Sequence, residues 1–184
     1  MPNTAIHGAN RTGPGLVQVY TGDGKGKTTA ALGLAVRAAG HGYCTYIGQF
    51  MKGQDYGELR GVGLLAPHVT LEQYGEPAFL RREDVTDRDR AMVRAGLARV
   101  REVLTQGHYQ IVVLDEILVA LFFDLVSLEE VLDLIATRPE GVELILTGRR
   151  APQAIIDVAD LVTEMVEVKH PYRKGILARK GIEI

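Results

Sequence analysis

Apolar and polar residues alternate through Leu16, Val17, Val19 and Tyr20, the pattern of a buried strand, and the pattern breaks at Gly22-Asp-Gly-Lys-Gly-Lys27. An alanine- and leucine-rich helix is predicted from Thr28 to Ala39, stopped by Gly40 and Gly42. Its small residues, Ala30, Ala31, Gly33 and Ala35, would let it lie close against a sheet. Further strands are predicted at 43–49, 69–74, 110–115, 142–147 and 161–167, and further helices at 56–65, 86–106, 127–138 and 153–158. Thr86 with Asp89, and Ser127 with Glu130, have the spacing of capping boxes. In the long helix Val93, Leu97, Val100 and Leu104 share one face, and Arg88, Arg90, Arg94, Arg99 and Arg101 form a solvated one. The apolar run Ile111 to Leu114 suits a parallel strand buried on both faces. Strand and helix alternate throughout, which predicts an α/β fold: a mostly parallel central sheet flanked by helices. Residues 16–184 are expected to form a single domain behind a flexible N-terminal segment, 1–15.

Composition narrows the function classes. Apolar residues make up 46% of the 184 and charged ones 24%, as in ordinary globular chains. A net charge of −2 gives no global basic field, so nucleic acid is not an expected partner. Cys44 is the only cysteine, which excludes an internal disulfide framework and fits a reducing cytoplasm. It lies in a predicted strand and reads as a small buried side chain. No secretory signal is expected at the N-terminus, and the longest apolar run, Ile117 to Phe123, is too short to cross a membrane.

Strand, glycine turn, helix is the layout of a phosphate-binding loop. Glycines let backbone N–H groups point inward, and the helix start adds partial positive charge. Lys27 can neutralise phosphate oxygens and the Thr28 hydroxyl can ligate Mg²⁺. The strict pattern G-x-x-x-x-G-K-[ST] asks for glycine at position 21, where Thr21 stands; the first loop glycine, Gly22, comes one residue late. Asp115-Glu116 closes the buried strand as a pair of carboxylates, a place where an acid holds Mg²⁺ or orients water. Lys52 and Arg149 also follow predicted strands, and open parallel sheets bind ligands at that end. Right-handed crossovers would collect these residues along one sheet edge. His41 and His170 read as structural or hydrogen-bonding residues rather than metal ligands. To this point the pattern supports a Mg-nucleotide domain, and three readings stay open: hydrolysis of a β–γ bond, group transfer, or binding without chemistry.

Tyr20-Thr-Gly-Asp-Gly-Lys-Gly-Lys-Thr-Thr-Ala-Ala31, Arg37-Ala-Ala-Gly-His-Gly42, Gln49-Phe-Met-Lys-Gly53, Val113-Leu-Asp-Glu-Ile117, Leu146-Thr-Gly-Arg149, Ala159-Asp-Leu-Val-Thr-Glu164, Lys169-His-Pro171 and Gly181-Ile-Glu183 together resemble the P-loop class of corrinoid adenosyltransferases. In that family the late glycine is the usual form of the loop. The resemblance implies a RecA-like, three-layer P-loop NTPase fold and transfer of the 5′-deoxyadenosyl group of ATP to the Co(I) centre of a corrinoid, with release of tripolyphosphate. Cobalt is then the nucleophile, so no enzyme nucleophile is required.

The resemblance further implies that Gly22, Asp23, Gly24, Lys25, Gly26, Lys27, Thr28 and Thr29 hold the ATP phosphates. Lys27, Thr28 and Glu116 would be catalytic, and Thr28, Glu116 and Asp115 would serve Mg²⁺. ATP would lie reversed relative to ordinary P-loop ATPases, presenting C5′ to the corrinoid. Arg37, Lys52, Phe79 and Arg149 are candidates for nucleotide or corrinoid contact. A homodimer and a flavoprotein-type electron donor are implied as partners. The sequence departs from the family at two positions. Gly75-Glu-Pro-Ala-Phe79 stands where a Phe-Thr-Trp segment is common, leaving Phe79 to pack on the corrinoid, and Arg150 stands where glycine often follows Gly-Arg.

Overall fold

The structure, a computed structural model, describes residues 13–77 and 81–184. Most of the predicted N-terminal segment and Phe79 lie outside the described residues. Six strands, β1 (Val17–Thr21), β2 (Thr45–Phe50), β3 (Val69–Tyr74), β4 (Ile111–Asp115), β5 (Glu143–Thr147) and β6 (Leu161–Glu164), form one sheet in the order β3-β2-β4-β5-β1-β6. Every pairing is parallel. The helices are α1 (Lys27–Ala39), α2 (Gly57–Gly63), α3 (Asp87–Gln106), α4 (Ile117–Phe122), α5 (Leu128–Thr137) and α6 (Gln153–Val158).

The two faces of the sheet carry separate cores. On one, Val17, Val19, Tyr46, Phe50, Val112, Leu114, Leu144 and Leu146 meet the apolar stripes of α3, α4 and α5 and Ile155 of α6. On the other, Ile47, Ile111, Val113 and Ile145 meet Ala31, Ala35 and Ala38 of α1 and Val62 of α2. Successive residues of β4 thus serve opposite layers, and none of the five is exposed. The expected close approach of α1 holds for Ala31 and Ala35, but Gly33 faces solvent with nothing within 4 Å of a Cβ placed on it. Both capping boxes form, Thr86 with Asp89 and Ser127 with Glu130. No periodicity signalled α4, because Ile117–Phe122 is an uninterrupted apolar run with no polar residue to mark a face.

Among the described residues, the edge beyond β2 carries a polar network. The Tyr46 hydroxyl meets that of Tyr74 at 2.6 Å, both donate to Glu72 Oε2 at 3.0 and 2.5 Å, and Arg99 of α3 pairs with the same carboxylate at 3.4 Å. Burial alone would raise the Glu72 pKa, but the hydrogen bonds from Tyr74, Tyr46 and Arg99 outweigh it and hold the carboxyl below its ordinary range. A carboxylate lowered on folding contributes stability above its unfolded pKa, about 4.3, and loses that contribution as pH falls through the folded value. Glu72→Gln is therefore expected to narrow the gap in melting temperature between about pH 7 and about pH 3. Identical pH profiles for the two proteins would show that the network carries no charge-dependent stability.

Candidate active site

β1 runs to Thr21, which still pairs with Glu164 of β6 and whose hydroxyl accepts from the Ala151 N–H at 3.3 Å. Position 21 is strand, so a glycine has no function there; the turn begins at Gly22, with φ +95°. The loop then runs against the residue that follows β6. The Gly24 N–H donates to the Met165 carbonyl at 2.7 Å, and a Cβ on Gly22 or Gly24 would fall 2.4 or 2.6 Å from that oxygen. Gly24→Ala is expected to destabilise the fold by roughly 1–3 kcal/mol and to weaken ATP binding, because the clash is with backbone that cannot swing aside. Thermal unfolding and nucleotide titration read the two effects, and a wild-type result in both would mean that the loop does not lie on Met165.

Lys27 opens α1 from inside this loop. Its ammonium donates to the Gly22 and Gly24 carbonyls at 2.7 Å each, and burial lowers its pKa. At the next residue, the Thr28 hydroxyl donates to Asp115 Oδ1 at 2.8 Å. Asp115 is fully buried at the end of β4 and accepts from four side chains: Thr28 and Thr147 (2.7 Å) on Oδ1, Lys52 (2.8 Å) and Gln49 (3.1 Å) on Oδ2. Register explains the convergence, since Gln49 pairs with Asp115 across β2–β4, and Thr147 ends the neighbouring β5.

Glu116 follows with φ +63°, and its N–H donates to the Thr147 hydroxyl at 3.0 Å. That left-handed conformation is uncommon for a residue with a side chain. Its carboxylate is withdrawn from water: burial, then the neighbouring Asp115 charge, raise its pKa, while Lys52, Lys27 and Arg149 act against them.

Two cavities meet at this point. The first, about 580 Å³, is lined by the loop from Asp23 to Thr29, by Lys52, Tyr56, Glu58, Glu116, Arg149 and His170, and by the C-terminal residues 181–184. The second, about 460 Å³, has an apolar side of Phe50, Met51, Val119, Phe122 and Phe123, with Gln54, Glu76 and Arg150 also in its lining. Lys52, Tyr56, Glu116 and Arg149 line both and form the wall between them. A polar, cation-lined chamber built on a phosphate loop thus opens beside an apolar one.

Comparison with known proteins agrees with this architecture. Residues 13–184 match the model of the family described as ATP:corrinoid adenosyltransferase BtuR/CobO/CobP. The chain belongs to this family. It is 37% identical to the corrinoid adenosyltransferase CobA of Salmonella typhimurium over 92% of this chain and 85% of that protein. It is 36% identical to the corrinoid adenosyltransferases of Escherichia coli and Pseudomonas aeruginosa, again over 92% of this chain and over 85% and 83% of theirs.

In this family member the fold brings together the loop residues, Lys52, Asp115, Glu116 and Arg149, which also lies 3.6 Å from Asp23. It does not bring Arg37 to them. Arg37 sits in the last turn of α1, ten residues or about 15 Å of helix from Lys27, in a separate cleft with Gln18, His41, Tyr43 and Glu143. His170 lines the first cavity, and its Nδ1 accepts from the Tyr172 N–H at 3.2 Å, a hydrogen-bonding role. Gln49 and Thr147 also belong to the site, as do Tyr56, Glu58, Phe122 and Phe123 in the cavity walls, and none of the six is among the candidates read from the sequence. Gln49 and Thr147 are fully buried polar residues at, or one residue short of, the carboxyl end of a strand, and that position was the available signal.

Proposed function

We propose that the chain transfers the 5′-deoxyadenosyl group of ATP to the Co(I) centre of a reduced corrinoid. The observation that carries this reading is the shared wall: a phosphate-holding chamber and an apolar cavity are contiguous, so two unlike substrates can meet edge to edge. The Co(I) electron pair forms the Co–C5′ bond, the C5′–O5′ bond breaks, and tripolyphosphate leaves with that bonding pair. What the protein must supply is alignment of C5′ with cobalt and stabilisation of charge on the leaving group.

The residues present suit those tasks. The loop from Asp23 to Lys27, with the Lys25 and Lys27 ammoniums, lines the chamber assigned to the phosphates, and Thr29 adds a hydroxyl. Mg²⁺ favours one or two carboxylates completed by water and phosphate oxygens, and the Glu116 carboxylate with the Thr28 hydroxyl fits that demand. Bound there, Mg²⁺ would neutralise phosphate charge. Asp115, already occupied by four donors, orients Thr28 and Lys52. Phe50, Met51, Val119 and Phe123 offer the corrin apolar surface. A homodimer is part of the reading, supported by β6: this edge strand is exposed along its length, with Leu161 and Val162 open to solvent. A flavoprotein-type donor would keep the cobalt reduced.

Incubation with ATP, Mg²⁺ and chemically reduced cobalamin, followed optically and by phosphate analysis, is expected to give adenosylcobalamin and tripolyphosphate in equal amounts. Steady ADP formation without corrinoid would instead assign the site to β–γ hydrolysis.

A further inference from the structure

The turn after β5 sends its two arginines to different places. Arg149 lines both cavities, whereas Arg150 lines only the apolar one. Arg150 is exposed and holds φ +58°, a conformation that glycine adopts freely and arginine rarely does. Among the described residues four non-glycines have positive φ, and three of them, Met51, Glu116 and Arg150, line this one cavity. Strained backbone concentrated at a cavity points to side chains held there for a task.

The Arg150 guanidinium lies 4.1 Å from the centre of the Phe122 ring. Phe122 also carries Arg82 at 4.9 Å, but Arg82 is neutralised by Asp124 at 2.5 Å. The other cations of the cavity are likewise engaged, Lys52 with Asp115 at 2.8 Å and Arg149 with Asp23 at 3.6 Å. Arg150 has no carboxylate partner among the described residues; its contact is the ring face, which orients the guanidinium and leaves its N–H donors open. The phosphates of ATP belong to the other chamber, which Arg150 does not line. An anion for Arg150 therefore belongs to the second substrate.

Resting on the function proposed above, we infer that Arg150, stacked on Phe122, is a specificity-determining residue that binds an anionic substituent at the corrin periphery. Two sources share that chemistry: free carboxylates of a ring whose side chains are incompletely amidated, and the phosphodiester of a nucleotide loop. Guanidinium binds either through paired N–H donors.

The test compares Arg150→Gly, whose backbone suits φ +58°, with wild type and Arg150→Lys. Three reduced corrinoids are used: one with free side-chain carboxylates, one fully amidated with neither carboxylate nor phosphodiester, and cobalamin, amidated with a phosphodiester. In Arg150→Gly, kcat/KM for an anionic corrinoid is expected to fall about tenfold relative to the neutral one, through KM, with partial recovery in Arg150→Lys. A fall confined to the first corrinoid assigns the carboxylates, one confined to cobalamin assigns the phosphodiester, and a fall for both assigns anions generally. An unchanged preference, or a fall at least as large for the neutral corrinoid, overturns the inference. Wild-type protein that adenosylates none of the three would refute the proposed function itself.

Discussion

Lys27→Ala is expected to lower the rate of Co–C bond formation by roughly two to three orders of magnitude, the usual effect of deleting one preorganised charge at a developing anion. In the reaction proposed, negative charge grows on the tripolyphosphate as C5′–O5′ breaks, and Lys27 is the buried cation of the loop that holds it. Its ammonium is fixed by the Gly22 and Gly24 carbonyls at 2.7 Å, so little reorganisation is needed when charge develops. Burial, which lowers its pKa, also strengthens the interaction by excluding water. Single-turnover optical assays with saturating ATP read this rate directly, while thermal unfolding checks that the fold survives. A rate within threefold of wild type would place the leaving group elsewhere.

Asp115→Ala is expected to destabilise the protein by on the order of 3 kcal/mol and to abolish turnover. The side chain is fully buried, and its loss removes the acceptor that Thr28, Thr147, Gln49 and Lys52 share, leaving Lys52 with Glu58 at 3.9 Å as its remaining carboxylate. Loss of the close partner of the Lys52 charge dominates the effect. Burial by itself lowers the Lys52 pKa, but the charge and hydrogen bond of Asp115, with the Glu116 and Glu58 charges, more than offset it and leave the pKa raised. The sign follows: a raised lysine contributes stability below its unfolded pKa, about 10.4, and the contribution is lost only as pH climbs through the folded value. The pair is therefore fully effective at neutral pH. Asp115→Asn, which keeps one acceptor oxygen, should lose less stability yet still displace Thr28 and Lys52. Urea unfolding of the three proteins measures the series, and a loss under about 1 kcal/mol for Asp115→Ala would show that the four donors find other partners.

The loop, the acid pair and the strand-end cations were legible in the chain because each belongs to a short, continuous segment. Thr21 shows where such reading needs the fold: judged by spacing it departs from the strict glycine pattern, whereas pairing with Glu164 makes it the last strand residue and moves the turn to Gly22. Arg37 shows the reverse case. It is close in sequence to the loop and shares its helix, but a rigid helix carries it to the far end of the sheet. Gln49 and Thr147 joined the site only through register, because which strands lie beside β4 is a property of the assembled sheet.

By itself, the sequence determined the six strands, the helix stops and caps, the phosphate loop and the family, since local pattern and local chemistry suffice for these. Only the tertiary structure decided the strand order that gathers four donors onto Asp115, the return of the C-terminal residues to the loop, and the division of labour between Arg149 and Arg150. Those arrangements depend on contacts between residues far apart in the chain and on a backbone angle of +58° at Arg150, neither of which a one-dimensional pattern encodes. The phosphate loop could be read along the chain; the cavity beside it exists only once the layers pack.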